Sequence, residues 1–151
     1  MKFEASVVIE RPIDEVWKFV TDLPSVPKWS HALLEKRQTS PGPLGVGTTV
    51  QSRTKDRTFT GRVTEFEPNR KFTWEMTSGP IRGSHEYDSL ETVEGGTRLT
   101  HAVDFRLSGL YKLLGPFIAG RTRRNGEAHA KTDLDNVKRI LESEAQTVPI
   151  H

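Results

Sequence analysis

The residues of this chain best suited to chemistry are His85, Glu86 and Asp88, followed thirteen residues after Asp88 by His101. A carboxylate beside an imidazole is an acid/base pair, able to remove a proton alpha to a carbonyl or to protonate a leaving hydroxyl. Both groups lie in alternating, strand-like segments separated by the turn signal Glu94-Gly95-Gly96. If that turn pairs Leu90 with Leu99, Asp88 lies beside His101 and Glu86 beside Val103, all on one face. A slip of one residue reverses the arrangement and sends His85 and Tyr87 inward and Asp88 out. The plain alternative is a histidine and acids satisfied by hydrogen bonds or solvent on a sheet. A second group, Arg121, Arg123 and Arg124, can supply a guanidinium that holds a carboxylate or phosphate through two parallel hydrogen bonds. Three such residues cannot all face inward, and a solvated cationic helix turn is the competing reading. Arg124 shares a face with Ala128 and Lys131, and Arg121 is the alternative one turn earlier.

Other chemistries are poorly supplied. The chain has no cysteine, which removes disulfides, thiolate metal sites and cysteine nucleophiles. Its five histidines show no helical i, i+4 or strand i, i+2 pairing, so a zinc site is not expected. The glycines of Gly42-Pro43-Leu44-Gly45-Val46-Gly47 lead into Thr48-Thr49 and not into the Gly-Lys-Ser/Thr of a phosphate cradle, so this is a structural loop. Arg53, Lys55, Arg57 and Arg62 are interleaved with a single aromatic, Phe59, which argues against nucleic acid. The net charge of +2, with 22 cations against 20 anions, singles out no partner. No run approaches the roughly 18 apolar residues of a spanning helix, and the N-terminus begins directly in a strand, so the expected location is cytoplasmic.

The elements that must position these residues are readable from periodicity. At 151 residues the chain fits one domain, expected over residues 1–146 with a short tail at 147–151. An alternating strand, Phe3–Glu10, runs into a helix over Pro12–Val20 whose Ile13, Val16, Trp17 and Val20 share one face. Pro12 suits the first turn, and Asp14 and Glu15 favour the positive end of the helix dipole. Pro24 and Pro27 break that helix, and Trp29 anchors a second short turn. Further strands are expected at 32–39, 48–55, 58–66, 71–78, 83–92 and 97–107, joined by hairpin-length turns. Such short connections specify an antiparallel meander, because parallel crossovers need a dozen or more residues. Phe72, Trp74 and Met76 share one face of their strand, as do Leu99, His101, Val103 and Phe105 of theirs. A helix from Pro116 to about Ser143, about 42 Å long, carries the stripe Leu134, Val137 and Leu141. Its first half offers only Gly126, Ala128 and Ala130 as small inward residues, which predicts a cavity there and a filled interface at the Leu134 end. The apolar run Leu110–Gly120 between last strand and helix reads as a lid, as a membrane-touching segment, or as packing under the sheet.

Four separated motifs carry a family resemblance: Val16–Asp22 followed by Pro24, Pro27 and Trp29; Gly42–Thr48; Gly95–Thr100; and Leu134–Glu142. Together they resemble the polyketide cyclase/dehydrase branch of the START-like (SRPBCC) superfamily over about residues 2 to 144. The resemblance implies an α+β helix-grip fold, a curved seven-stranded antiparallel sheet around a long C-terminal helix, with a cavity for a hydrophobic or amphipathic small molecule. The fold alone licenses no reaction. The first functional expectation is therefore binding of a lipid, polyketide or other aromatic compound, without cofactor or metal. Trp74, Met76, Tyr87, Val103, Phe105 and Phe117 are expected to line the cavity, with Arg121 or Arg124 at a headgroup. The second is a cyclase or dehydratase using His101 with Asp88 or Glu86, and a third is an interaction module without ligand. The expected partner is a small molecule, with no nucleic acid, at most transient membrane contact, and a monomeric or homodimeric state.

Overall fold

The computed structural model describes residues 1–147, so the expected tail at 147–151 lies, beyond its first residue, outside the described residues. Strand β1 (Lys2–Ile9) leads into α1 (Ile13–Val20) and a 3-10 helix over Leu23–Lys28. Six strands follow: β2 (Leu33–Gln38), β3 (Thr49–Thr54), β4 (Thr58–Glu67), β5 (Lys71–Met76), β6 (His85–Val93) and β7 (Gly96–Asp104). A short 3-10 helix over Gly109–Leu114 then runs into α2, Gly115–Thr147. The sheet order is β1-β7-β6-β5-β4-β3-β2, with every neighbouring pair antiparallel. The meander from β2 to β7 is thus closed by β1 pairing along β7, and the two edges are joined through α1 and the first 3-10 helix.

Pro12 stands as the extended residue before α1, so its missing N–H costs nothing, and Val16, Trp17 and Val20 are the buried face. Trp17 meets Phe66 edge-on at 5.4 Å between ring centroids, and Phe66 meets Phe72 in the same way at 6.0 Å. Pro24 and Pro27 do not end helical structure outright. They sit within the 3-10 turn, where a shorter hydrogen-bond ladder tolerates their missing donors, and Trp29 caps it with its N–H on Val26 O.

Helix α2 lies across the concave face and is tied down along its second half. Leu134, Val137 and Leu141 are buried in the core. Asn136 Nδ2 donates to Trp29 O at 3.1 Å, and Lys138 Nζ donates to Val8 O at 2.7 Å while pairing with Glu142. The helix starts one residue before the expected Pro116 and runs about four residues past the expected end at Ser143. Gly126 allows it to approach β1: a Cβ there would stand 2.5 Å from the Phe3 ring.

Close packing also constrains the sheet beneath. A Cβ on Gly61 would lie 2.4 Å from Trp74 Cε3 and 3.0 Å from Glu75 O. The Trp74 ring has little freedom to yield, since its Nε1–H donates to Glu86 at 2.6 Å. Gly61→Ala should therefore destabilise the fold by about 1–3 kcal/mol, measured by urea unfolding. An unchanged midpoint would show that the ring has room to move.

Candidate functional site

Sheet and helix enclose a cavity of about 260 Å³. Its apolar wall comes from α1, the first 3-10 helix and β4–β5, including Val20, Trp29, Phe59, Phe72, Trp74 and Met76. Its polar groups come from both ends of the curved sheet: Lys36 on the edge strand β2, Glu86 and Asp88 on β6, and His101 on β7. Opposite them, α2 contributes Gly126, His129, Ala130 and Asp133, whose spacing is one helical face.

The turn at Glu94-Gly95-Gly96 sets the register as Leu90↔Leu99, Asp88↔His101 and Glu86↔Val103. Asp88 and His101 are therefore side by side, with Asp88 Oδ1 2.7 Å from His101 Nδ1 and both side chains largely buried. Burial alone would lower the imidazole pKa. The charge of Asp88, the hydrogen bond to it, and the charges of Glu86 and Asp133 outweigh that and raise it to about 9. At neutral pH His101 is accordingly an imidazolium, a proton donor and not a base. Glu86 accepts from Trp74 Nε1 at 2.6 Å.

Lys36 is the residue that the sequence reading passed over. It is buried, and its Nζ sits 3.6 Å from the centroid of the Trp74 ring. Burial pushes its pKa below the ordinary lysine value, and the charges of Glu86 and Asp88 offset part of that. Among the described residues its ammonium has no hydrogen bond and no carboxylate within 4 Å. The second missed group stands at the rim. Asp133 holds His31 through Nδ1 at 2.9 and 3.1 Å and through the His31 backbone N–H at 2.9 Å, and the His129 ring lies 4.2 Å from that of His31. Because a carboxylate only accepts, His31 carries its proton on Nδ1. Neither left a signal in the sequence: the irregularity between Leu33 and Glu35 breaks the alternation that would mark Lys36 as inward, and the His31–Asp133 contact spans over a hundred residues.

Of the expected lining residues, Trp74, Met76, Val103, Glu86, Asp88 and His101 border the cavity, whereas Tyr87, Phe105, Phe117, Arg121 and Arg124 do not. Tyr87 alternates to the outer face, where it stacks near His85 with Lys2 and Lys71 over its ring. Phe105 follows the last paired residue of β7 and borders a separate hollow with Met1 and Pro116. Phe117 is 86% exposed. Arg121 and Arg124 fall off the inward face because α2 turns Gly126, His129, Ala130 and Asp133 toward the sheet, about 200° from Arg124 at 100° per residue. Among the described residues no cluster of three or more His, Asp or Glu is placed to hold a metal ion, and no helix is long and apolar enough to cross a membrane.

The family described as "Polyketide cyclase / dehydrase and lipid transport" matches residues 1–142. The chain belongs to that family. The fold resembles the di-domain ARO/CYC StfQ from the steffimycin biosynthetic pathway, with a TM-score of 0.77 and 14% identity, over 97% of this chain and 52% of that one. It also resembles the di-domain ARO/CYC BexL from the BE-7585A pathway, with a TM-score of 0.73 and 15% identity, over 94% of this chain and 46% of that one. The chain thus spans about half the length of each di-domain protein. The Aha1 dimer from Colwellia psychrerythraea shares the fold at a TM-score of 0.62 and 18% identity, covering 91% of this chain and 96% of that one. At such low identities the structural likeness shows the fold alone. No curated protein matches the chain in sequence.

The ionised pair can be observed directly. In a histidine NMR titration His101 should titrate with a midpoint near 9, and Asp88→Asn should lower it. A folded-state pKa above the unfolded value of 6.5 means that the pair's stabilisation is fully present below pH 6.5 and is lost as pH rises through about 9. The stability difference between the protein and His101→Gln should shrink over that interval. A constant difference would show that the pair is not ionised in the folded state.

Proposed function

We propose that this protein binds a small oxygenated aromatic molecule in the cavity between sheet and helix. The observation that carries the reading is the division of the cavity into an apolar, aromatic wall and a small polar set of Lys36, Glu86, Asp88 and His101. Such a combination of apolar enclosure and few placed polar groups is what small-molecule sites require. The size narrows the class. At about 260 Å³ the cavity lies below the roughly 300–1,000 Å³ of drug-sized sites, which favours one or two rings over a diacyl lipid or a four-ring polyketide. Ala130 on α2 is the wall closest in kind to a removable plug: it is small, buried and on the cavity face. Titration with 2-naphthol, read by fluorescence of the lining Trp29 and Trp74, should show saturable binding that Ala130→Leu weakens about tenfold or more. Equal affinity in a folded Ala130→Leu variant would place the ligand elsewhere.

A second reading, dehydratase or cyclase chemistry, is favoured by the ionisation state of His101. An imidazolium can protonate a leaving hydroxyl while the Glu86 carboxylate takes the proton alpha to a carbonyl, so that water leaves and a conjugated enone forms. The family name and the ARO/CYC neighbours support this class of reaction. With 4-hydroxy-4-phenylbutan-2-one as probe, enone absorbance should rise with protein. His101→Gln should then reduce kcat by about 100-fold while leaving probe binding within about tenfold. Unchanged turnover would remove His101 from the mechanism.

A further inference from the structure

We propose that Lys36 captures carbonyl ligands covalently: its amine, held in the cavity against the Trp74 ring, adds to an aldehyde or ketone to give a reversible imine. The inference deepens the cavity-binding reading and rests on it. Among the described residues Lys36 is the only lysine on the cavity wall, and it reaches there from an edge strand with its Nζ over an aromatic face and no carboxylate within ion-pair distance. An exposed lysine is held as a hydrated ammonium, which has no lone pair to attack with; burial removes that hydration and favours the neutral amine. The remaining parts of the reaction line the same cavity. Attack of the Lys36 lone pair on the carbonyl carbon forms a C–N bond and, after proton transfer from nitrogen to oxygen, a carbinolamine. The His101 imidazolium then protonates the hydroxyl, the C–O bond breaks, water departs, and the nitrogen lone pair forms the C=N bond of an iminium. A proton from that nitrogen, relayed through Glu86 or water, restores the imidazolium. No oxidant, reductant or metal enters the balance.

An iminium on Lys36 also acidifies the neighbouring C–H, the proton that the second reading assigns to Glu86. The two chemistries therefore use one set of groups in sequence, and a bound ketone would be activated by the same residue that anchors it.

Reductive trapping tests the capture. The protein is incubated with 2-naphthaldehyde and cyanoborohydride, which reduces the imine to a stable secondary amine, and labelled lysines are located by peptide mass spectrometry. Lys36 should be labelled at least about tenfold faster than exposed lysines such as Lys55 and Lys112, and Ala130→Leu should suppress that labelling. Lys36→Arg should lose the adduct on this segment, because a guanidinium keeps its charge and has no free lone pair to attack with. Labelling of Lys36 no faster than that of exposed lysines, with 2-naphthol still bound, would overturn the covalent step and leave the cavity reading intact. Loss of both labelling and 2-naphthol binding would overturn the cavity reading itself.

A different observation carries a second proposal. From Phe105 to Gly126 the chain has Arg106, Lys112, Arg121, Arg123 and Arg124 but no Asp or Glu, so the rest of the chain is net negative although the total is +2. The same stretch holds Leu110, Leu113 and Phe117, exposed by 84, 71 and 86%, together with the exposed Tyr111 and Leu114. Arg106 pairs with Asp104 and Arg123 with Glu127, whereas Lys112, Arg121 and Arg124 have no acidic partner among the described residues. The geometry points to an anionic phospholipid surface as the occupant, because an apolar patch rimmed by unpaired cations matches acyl chains beneath negative headgroups. In sedimentation with vesicles, the protein should bind phosphatidylcholine/phosphatidylglycerol mixtures and not pure phosphatidylcholine, and 0.5 M salt should release about tenfold or more of it. Leu113→Glu with Phe117→Glu should abolish binding without changing the melting temperature. Binding that is absent, or indifferent to lipid charge, would overturn the proposal. A shift from dimer to monomer in the double variant without vesicle binding would do so too, by assigning the patch to a second copy of the chain.

Discussion

The whole site depends on where β7 begins. A Cβ on Gly96 would meet Ile9 O at 2.0 Å, and Thr97 Oγ1 donates to Arg11 O at 2.8 Å, so the first two residues of β7 are fixed against the end of β1. From that point, pairing with β6 proceeds without interruption from Val93↔Gly96 to His85↔Asp104. Because side chains alternate with a period of two, this placement turns Glu86, Asp88, His101 and Val103 inward as a set. A one-residue slip would bury His85 and Tyr87, which now stack outside with Lys2 and Lys71 over the Tyr87 ring, and would expose the acid/imidazole pair. A structural turn thus decides the chemistry of a cavity several residues away.

Within the cavity, two cations experience similar burial and shift in opposite directions. His101 rises because Asp88 contacts it directly at 2.7 Å, and charge-assisted hydrogen bonding exceeds the loss of hydration. Lys36 falls because the same carboxylates act on it only through space, with the Trp74 ring as its nearest partner. Partner geometry, and not depth, therefore separates the two roles. One group is held charged as a proton donor, and the other is pushed toward the neutral form in which nitrogen can act as a nucleophile. This division of labour between groups of like sign is the ordinary way in which a small cavity holds an acid and a base-like atom together at one pH.

Much of the fold was legible in the sequence because its signals are local. Alternation, hairpin turns and the proline-led first helix appear as strands and helices within one or two residues of their expected limits, except that β7 ends three residues before the expected Leu107. The β6–β7 register was legible as a condition, since the Gly-Gly turn implied one pairing and the alternative differed by a single residue. The helix phase was harder. Arg121 and Arg124 looked suited to a clamp, but on a helix the inward face is chosen by whichever residues fit the closest approach, and Gly126 against Phe3 fixes that phase. Phe105 and Phe117 extended an apolar pattern past the last paired residue, where alternation no longer determines a face. Lys36, His31 and Asp133 come together from β2, the preceding loop and α2, and such meetings leave no periodic trace.

Helix α2 is also mechanically uneven. Its ties to the body of the protein, through Asp133, Asn136 and Lys138 and the buried leucines, all lie in the half that closes the core. In the preceding half, Gly126 and Ala130 face the sheet, and the helix then gives way to exposed arginines and the apolar segment over Leu110–Phe117. Displacing the anchored half would break buried hydrogen bonds and open a void among packed leucines, at about 2–5 kcal/mol for each leucine side chain left unpacked. The exposed basic and apolar segment thus continues from the less anchored half of the helix, apart from the ties that hold its core end.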